Sequence, residues 1–151
     1  MPFYTSNTTG FNPTPLPNAG GTAEPTLIAQ PYYRQLDSIR FDYVAFIGPA
    51  TSRGFFVDFR ENNRTFASIF APVTIIDGET AHVQFAQRIA PQSLTIGDDV
   101  HIQTALPVGF WVEPNVSVRL RAVNGDASDE WQNVEFVLGP PTKETPKDLN
   151  G

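Results

Sequence analysis

Residues 1–33 carry six prolines, at positions 2, 13, 15, 17, 25 and 31, and a single charged side chain, Glu24. Each proline removes a backbone donor and fixes φ, so this stretch can form neither a helix nor a central strand of its own. Disordered tails stay in solution through charge, whereas this segment holds Phe3, Tyr4, Phe11, Leu16, Leu27, Ile28, Tyr32 and Tyr33, apolar groups that gain by contact. The expectation is an extended arm over residues 1–33 that lies on a partner through those eight side chains.

Behind the arm, residues 34–139 are enough for one domain, and residues 140–151 read as a polar tail. Twelve phenylalanines and two tryptophans supply a core at about 1.5 to 3 kcal/mol per fully buried large side chain. With no cysteine, neither disulfides nor thiolate metal ligands contribute. No basic stretch followed by an apolar run opens the chain, and no segment nears the roughly 20 apolar residues that a bilayer demands, so neither a secretory signal nor a membrane partner is expected. Sequons at Asn7, Asn63 and Asn115 matter only on a secretory route.

The formal net charge is −6, both lysines (Lys143 and Lys147) lie in the tail, and the domain's cations are eight arginines. An acidic chain without a basic run repels phosphate backbones, which excludes nucleic-acid binding as the main expectation. Arginine without lysine suits interfacial ion pairs, because the planar guanidinium grips a carboxylate with two bonds. Arg34, Arg40, Arg119 and Arg121 are the candidate interface charges.

From Ser38 onward the chain breaks into short runs of β-branched and aromatic residues between Gly, Pro, Asn and Asp clusters. Phe55, Val57 and Phe59 alternate, and Glu61-Asn62-Asn63 turns the chain into Arg64–Phe70, a hairpin. Asp77-Gly78 predicts a second hairpin, between Val73–Ile76 and Thr80–Ile89; the latter also fits a helical face. Gly97-Asp98-Asp99 separates Ser93–Ile96 from Val100–Leu106. Val116, Val118 and Leu120 mark a half-buried strand, and in Trp131–Leu138 the even positions are expected to face the core. Eight or nine strands predict an all-β fold, an antiparallel jelly-roll-like sandwich with an extended N-terminal arm; a partly closed barrel is the alternative.

Catalytic signals are weak. His82 and His101 are 19 residues apart without the partners that zinc needs, and no Gly-x-Ser-x-Gly turn offers a nucleophile. Asp98-Asp99 and Asp129-Glu130 are adjacent pairs, whose side chains point to opposite faces of a strand. The loop 124–130 carries oxygen ligands of the kind calcium takes, though without EF-hand spacing, and an acidic turn explains it equally. Trp111, Trp131, Phe110 and Tyr43 are the available platforms for stacking on a sugar, against ordinary core packing. The chain is thus read as a non-enzyme, without cofactor or metal.

The charge-poor arm Met1–Tyr33, the single cysteine-free β-domain Ser38–Leu138 and the short polar tail together resemble the cement, or decoration, proteins of tailed-bacteriophage heads. The resemblance is one of overall plan. It implies a virion protein made in the host cytoplasm and placed on the outer capsid surface, with a homotrimer and a major capsid or other virion protein as partners. It also implies that the arm clamps neighbouring shell subunits, with Thr26–Ala29 adding a strand to a partner sheet. A carbohydrate-binding or tail-fibre adaptor module is the alternative from the same inventory.

Overall fold

A computed structural model describes residues 11–46, 52–107 and 110–146. Phe3 and Tyr4, the first of the expected arm contacts, lie outside the described residues. The regular elements are β1 (Asn12–Pro15), β2 (Ala19–Gly20), β3 (Thr26–Leu27), β4 (Arg34–Val44), β5 (Gly54–Glu61), β6 (Arg64–Phe70), β7 (Thr80–Gln87), β8 (Gln92–Ile96), β9 (Asp99–Leu106), β10 (Trp111–Val112), β11 (Val116–Val123) and β12 (Glu130–Leu138). They build two sheets. The larger runs β1-β12-β4-β7-β9-β8, with β2 also on β12 and β10 also on β4; the smaller runs β3-β11-β5-β6.

The core is where the two sheets face each other. Ile39, Phe41 and Tyr43 of β4 and Val83 and Phe85 of β7 meet Phe55, Val57 and Phe59 of β5 and Val118 and Leu120 of β11, all of them buried. Phe41, Tyr43, Phe55 and Trp131 pack edge to face with centroids 4.9 to 6.2 Å apart, and such pairs add about 0.5–1.5 kcal/mol each beyond burial. The all-β sandwich expected from the alternating pattern is the fold.

Several local expectations change. Asn62 and Asn63, both at positive φ, close the β5–β6 hairpin as the turn chemistry predicts. Asp77-Gly78 closes none: Ile75 makes only an isolated bridge to Arg53, and β7 pairs instead with β4 and β9. The segment Thr80–Gln87 is strand, not helix. Its pairing with β9 is parallel, because the β8–β9 hairpin folds back so that β9 lies between β7 and β8; the sheet is therefore mixed rather than wholly antiparallel. In β12 a bulge between Gln132 and Glu135, with Asn133 at φ 53°, switches the inward phase from Trp131 to Val134. Asn tolerates the left-handed conformation that the bulge requires.

The largest departure concerns the arm. β1 pairs with β12 from Asn12↔Leu138 to Pro15↔Glu135, β2 with β12 at Glu130↔Gly20, and β3 with β11 at Leu27↔Val118. Three short pieces of residues 12–27 are thus edge strands of their own sandwich, and the boundary drawn at residue 33 falls inside the paired structure. Prolines fit such edges because the missing N–H can point away from the ladder, and a strand edge on the same chain has a higher effective concentration than any separate partner. The tail is held at its start as well, where Tyr33 and Thr142 exchange backbone hydrogen bonds of 2.8 and 3.0 Å.

Candidate functional site

Register brings ten side chains together on the outer face of the larger sheet. One row crosses five strands as Glu135, Arg40, Gln84, Gln103 and Gln92. Beside it runs Asn133, Asp42, His82, His101 and Leu94. The sheet is concave here, and all of these side chains but Gln92 and Leu94, which lie beyond it on β8, line an open groove of about 450 Å³. Alternation in β4, β7 and β9 sends Phe41, Val83 and Ile102 into the core and their polar neighbours outward.

His82 is the centre of the second row. Its Nδ1 lies 2.9 Å from Asp42 and its Nε2 2.9 Å from Asp99, and its ring stacks on His101 at 4.6 Å and 18°. Burial alone would push the imidazole pKa down, but the bonds to Asp99 and Asp42 outweigh it and raise it, favouring the imidazolium, in which both nitrogens donate. Asn133 donates to the second oxygen of Asp42 at 2.7 Å, and Arg40 pairs with Glu135 at 3.0 Å. The parallel register of β7 and β9 places the two histidines opposite each other, a meeting that their separation of 19 residues did not announce. Asp42, Gln84, Gln103, Asn133 and Glu135 gave no motif; only the outward phase of the strands marks them.

A second polar cluster is buried. Arg53 grips Asp129 with two nitrogens, at 3.0 and 3.1 Å, and also pairs with Asp77. Asp129 further accepts from the Tyr43 hydroxyl at 2.8 Å and from the backbone N–H groups of Phe46 and Asp126 at 2.7 and 2.9 Å. Burial would raise the Asp129 pKa, yet the Arg53 bond, those backbone donors and Tyr43 lower it; burial and the Asp129 bond push the Tyr43 phenol up. The cluster ties the loop 124–129 to the segments around Gly21, Phe46 and Asp77. Asp129, a candidate calcium ligand by sequence, is thereby committed to Arg53. Among the described residues no group of three or more His, Asp or Glu is arranged to hold a metal ion.

On the outer face of the smaller sheet Asp58 accepts from Arg119 at 2.8 Å, Arg121 at 2.9 Å and Ser68 at 2.7 Å. Burial would raise its pKa, but Arg121, Ser68 and Arg119 hold it down to about 2. Arg121 also lies over the Phe56 ring, 4.5 Å from its centroid.

The expected contact residues are scattered by the fold. Leu27 is in the core and Leu16 packs against it; the Phe11 ring stands over Gly139; Tyr32 and Tyr33 lie by Lys143 and Thr142; among the described ones Ile28 alone is largely bare, at 76% exposure. Of the four arginines, Arg119 and Arg121 hold Asp58, Arg40 holds Glu135, and Arg34 donates to the Gly139 carbonyl at 2.9 Å. Tyr43 and Trp131 are fully buried and Phe110 packs on Phe59, so neither of the first two can serve as a sugar platform. The chain matches no protein-family profile, no curated protein and no solved structure.

Proposed function

We propose that this chain is a structural subunit of a virion, a decoration protein that clamps neighbouring shell subunits from the outer capsid surface as a homo-oligomer. The observation that carries the reading is the β8 edge. All five residues of Gln92–Ile96 are exposed, with Leu94 at 59% and Ile96 at 61%, and the strand holds no charge and no proline. The larger sheet is six positions wide along its main path and the smaller one four, and β8 ends the wider sheet with both faces bare. An exposed uncharged edge of this kind is a template for pairing with another chain, and monomeric proteins guard theirs with lysine, proline or a bulge.

The β6 edge offers a second exposed strand, charged only at its first residue, Arg64, with Phe66 and Phe70 about 60% exposed, although a bulge interrupts its pairing with β5 near Phe59. Two different open edges suit a head-to-tail ring, one subunit's β8 beside the next one's β6, and a closed ring needs no symmetric self-contact. A ring of three is the form that the resemblance to cement proteins implies. Light scattering over a concentration range tests the reading on the full chain, on Leu94→Lys with Ile96→Lys, and on Phe70→Lys. A closed oligomer for the wild type that falls to the mass of one chain in the lysine variants, without loss of cooperative melting, supports it. A single-chain mass for the wild type throughout, or lysine variants that assemble unchanged, overturns it.

A further inference from the structure

The groove on the outer face of the larger sheet is built of side chains, whereas edge pairing engages the free backbone of β8, the strand that contributes Gln92 and Leu94. Its first row, Glu135, Arg40, Gln84 and Gln103, is continued on β8 by Gln92, so that five neighbouring strands present one polar side chain each. Strands stand about 4.8 Å apart, so the row extends about 19 Å across the sheet. We propose that this row binds a linear, neutral oligosaccharide laid across the strands.

Three properties select that class of ligand. The first is hydrogen-bonding type: a glutamine amide offers two N–H donors and a carbonyl acceptor, which together serve a hydroxyl as donor and as acceptor. Three glutamines stand side by side, and within the described residues the Gln84 amide is engaged by no protein group, while Gln92 and Gln103 share one bond of 3.2 Å. The strand spacing is close to the length of one pyranose unit, so successive rings meet successive amides. The second is charge. Arg40 and His82 face Asp42, Asp99 and Glu135, leaving no positive excess, and a phosphate polymer would gain nothing from counterion release here. The third is shape and rigidity. The groove is concave, the exposed His101 ring stands at its rim with Leu94 beside it on β8, giving the C–H faces of a sugar an apolar contact, and the bonds from His82 and Asn133 to Asp42 hold its second row in place. A site organised before binding loses little entropy when the ligand arrives.

Titration calorimetry on the full chain tests this with four neutral probes, the hexasaccharides of β-1,4-glucose, α-1,4-glucose, β-1,3-glucose and β-1,4-N-acetylglucosamine, and with a single-stranded hexanucleotide as the charged probe. Saturable binding of at least one sugar, weakened about tenfold or more in Gln84→Ala with Gln103→Ala, is the expected result, two lost hydrogen bonds being worth about that factor. The double variant must melt as the wild type does; His101→Ala, on the rim, provides an independent check and should weaken the same sugar. No heat from any sugar at about 1 mM, where Kd values of that order are still seen, overturns the proposal. So does equal affinity in the glutamine double variant, or a hexanucleotide that binds in place of the sugars. The readout is independent of oligomer mass, so this proposal and the assembly proposal can fail separately.

Discussion

Two cation–carboxylate clusters in this sandwich look alike on paper and differ in kind. Arg53 holds Asp129 and Asp77, and His82 holds Asp42 and Asp99. The first is closed: the Arg53 and Asp129 side chains are 3% and 0% exposed, and Asp129 also receives two backbone N–H groups and a tyrosine hydroxyl. The second is open: His82 is 32% exposed, Asp99 56%, and in the groove before them, among the described residues, the Gln84 amide is engaged by no protein group while Gln103 shares one bond with Gln92. A buried charge pair is costly to assemble and more costly to break, because the survivor is stranded; an exposed pair is screened by water and weakly coupled to folding. Closure makes the first cluster a structural knot, and openness leaves the second available for a ligand.

The sharpest way to break the comparison is to cut one carboxylate from each. Asp129→Ala leaves the buried Arg53 with Asp77 as its acidic partner and strips the Tyr43 hydroxyl and two backbone N–H groups of their acceptor, and should cost about 3–5 kcal/mol in urea unfolding, whereas Asp42→Ala in the groove should cost under about 1 kcal/mol. Equal losses would mean that the two clusters carry the fold alike. A second cut reaches the knot through its backbone. A Cβ on Gly21 would come within 2.3 Å of the Asp126 carbonyl and 2.4 Å of the Asp129 Cβ, so Gly21→Ala should destabilise by about 1–3 kcal/mol, as overpacked sites do. Wild-type stability in that variant would show that the loop 124–129 can move away, and that the knot is not rigid.

The Asp58 cluster lies between the two, a buried carboxylate on an outer face. Its folded pKa of about 2 is below the ordinary aspartate value of 3.8, so its contribution is complete above that ordinary value and is lost as pH falls through the folded one. A tenfold change in proton affinity is worth about 1.4 kcal/mol, which makes the contribution roughly 2 kcal/mol before any discount for water near Arg121. Urea midpoints from about pH 5 to about pH 2 should fall more steeply for the wild type than for Asp58→Asn. Parallel curves would remove Asp58 from the account of acid stability.

How far the sequence foretold this arrangement depended on the range of the interaction. Alternation in β5 and β11, and the Asn62-Asn63 turn, are local, and the fold obeyed them. Asp77-Gly78 carried an equally strong hairpin signal, but β7 found a better edge on β4, where Phe41 lies beside Val83 and Ile39 beside Phe85. The bulge at Asn133 inverted the face of Trp131, and nothing in the neighbouring residues marks the extra position. The apolar residues of the N-terminal segment were legible as groups needing a surface; that Leu16 and Leu27 find it in the chain's own core, along β12 and β11, was not, since edge availability is a property of the finished sheets. The groove was the least legible part. Its two rows exist only once five strands are in register, and each member alone is an ordinary outward polar residue.

His82 gives the smallest expected effect and the most direct reading of openness. Its folded pKa is raised, so the stability it confers is full below the ordinary histidine value of 6.5 and is lost as pH rises through the higher folded value. Deprotonation removes one of the two donors, and either Asp42 or Asp99 then loses its bond. Proton NMR of the two imidazoles should show His82 titrating above 6.5, and stability should decline slightly over that interval in the wild type but not in His82→Gln. The same titration sharpens the contrast with the knot, because Arg53 keeps its charge throughout this range and the loop 124–129 should show no matching change. If the resonances of that loop followed the His82 titration, the two clusters would be coupled through β4, which carries both Asp42 and Tyr43, and the groove would report on the core rather than stand apart from it.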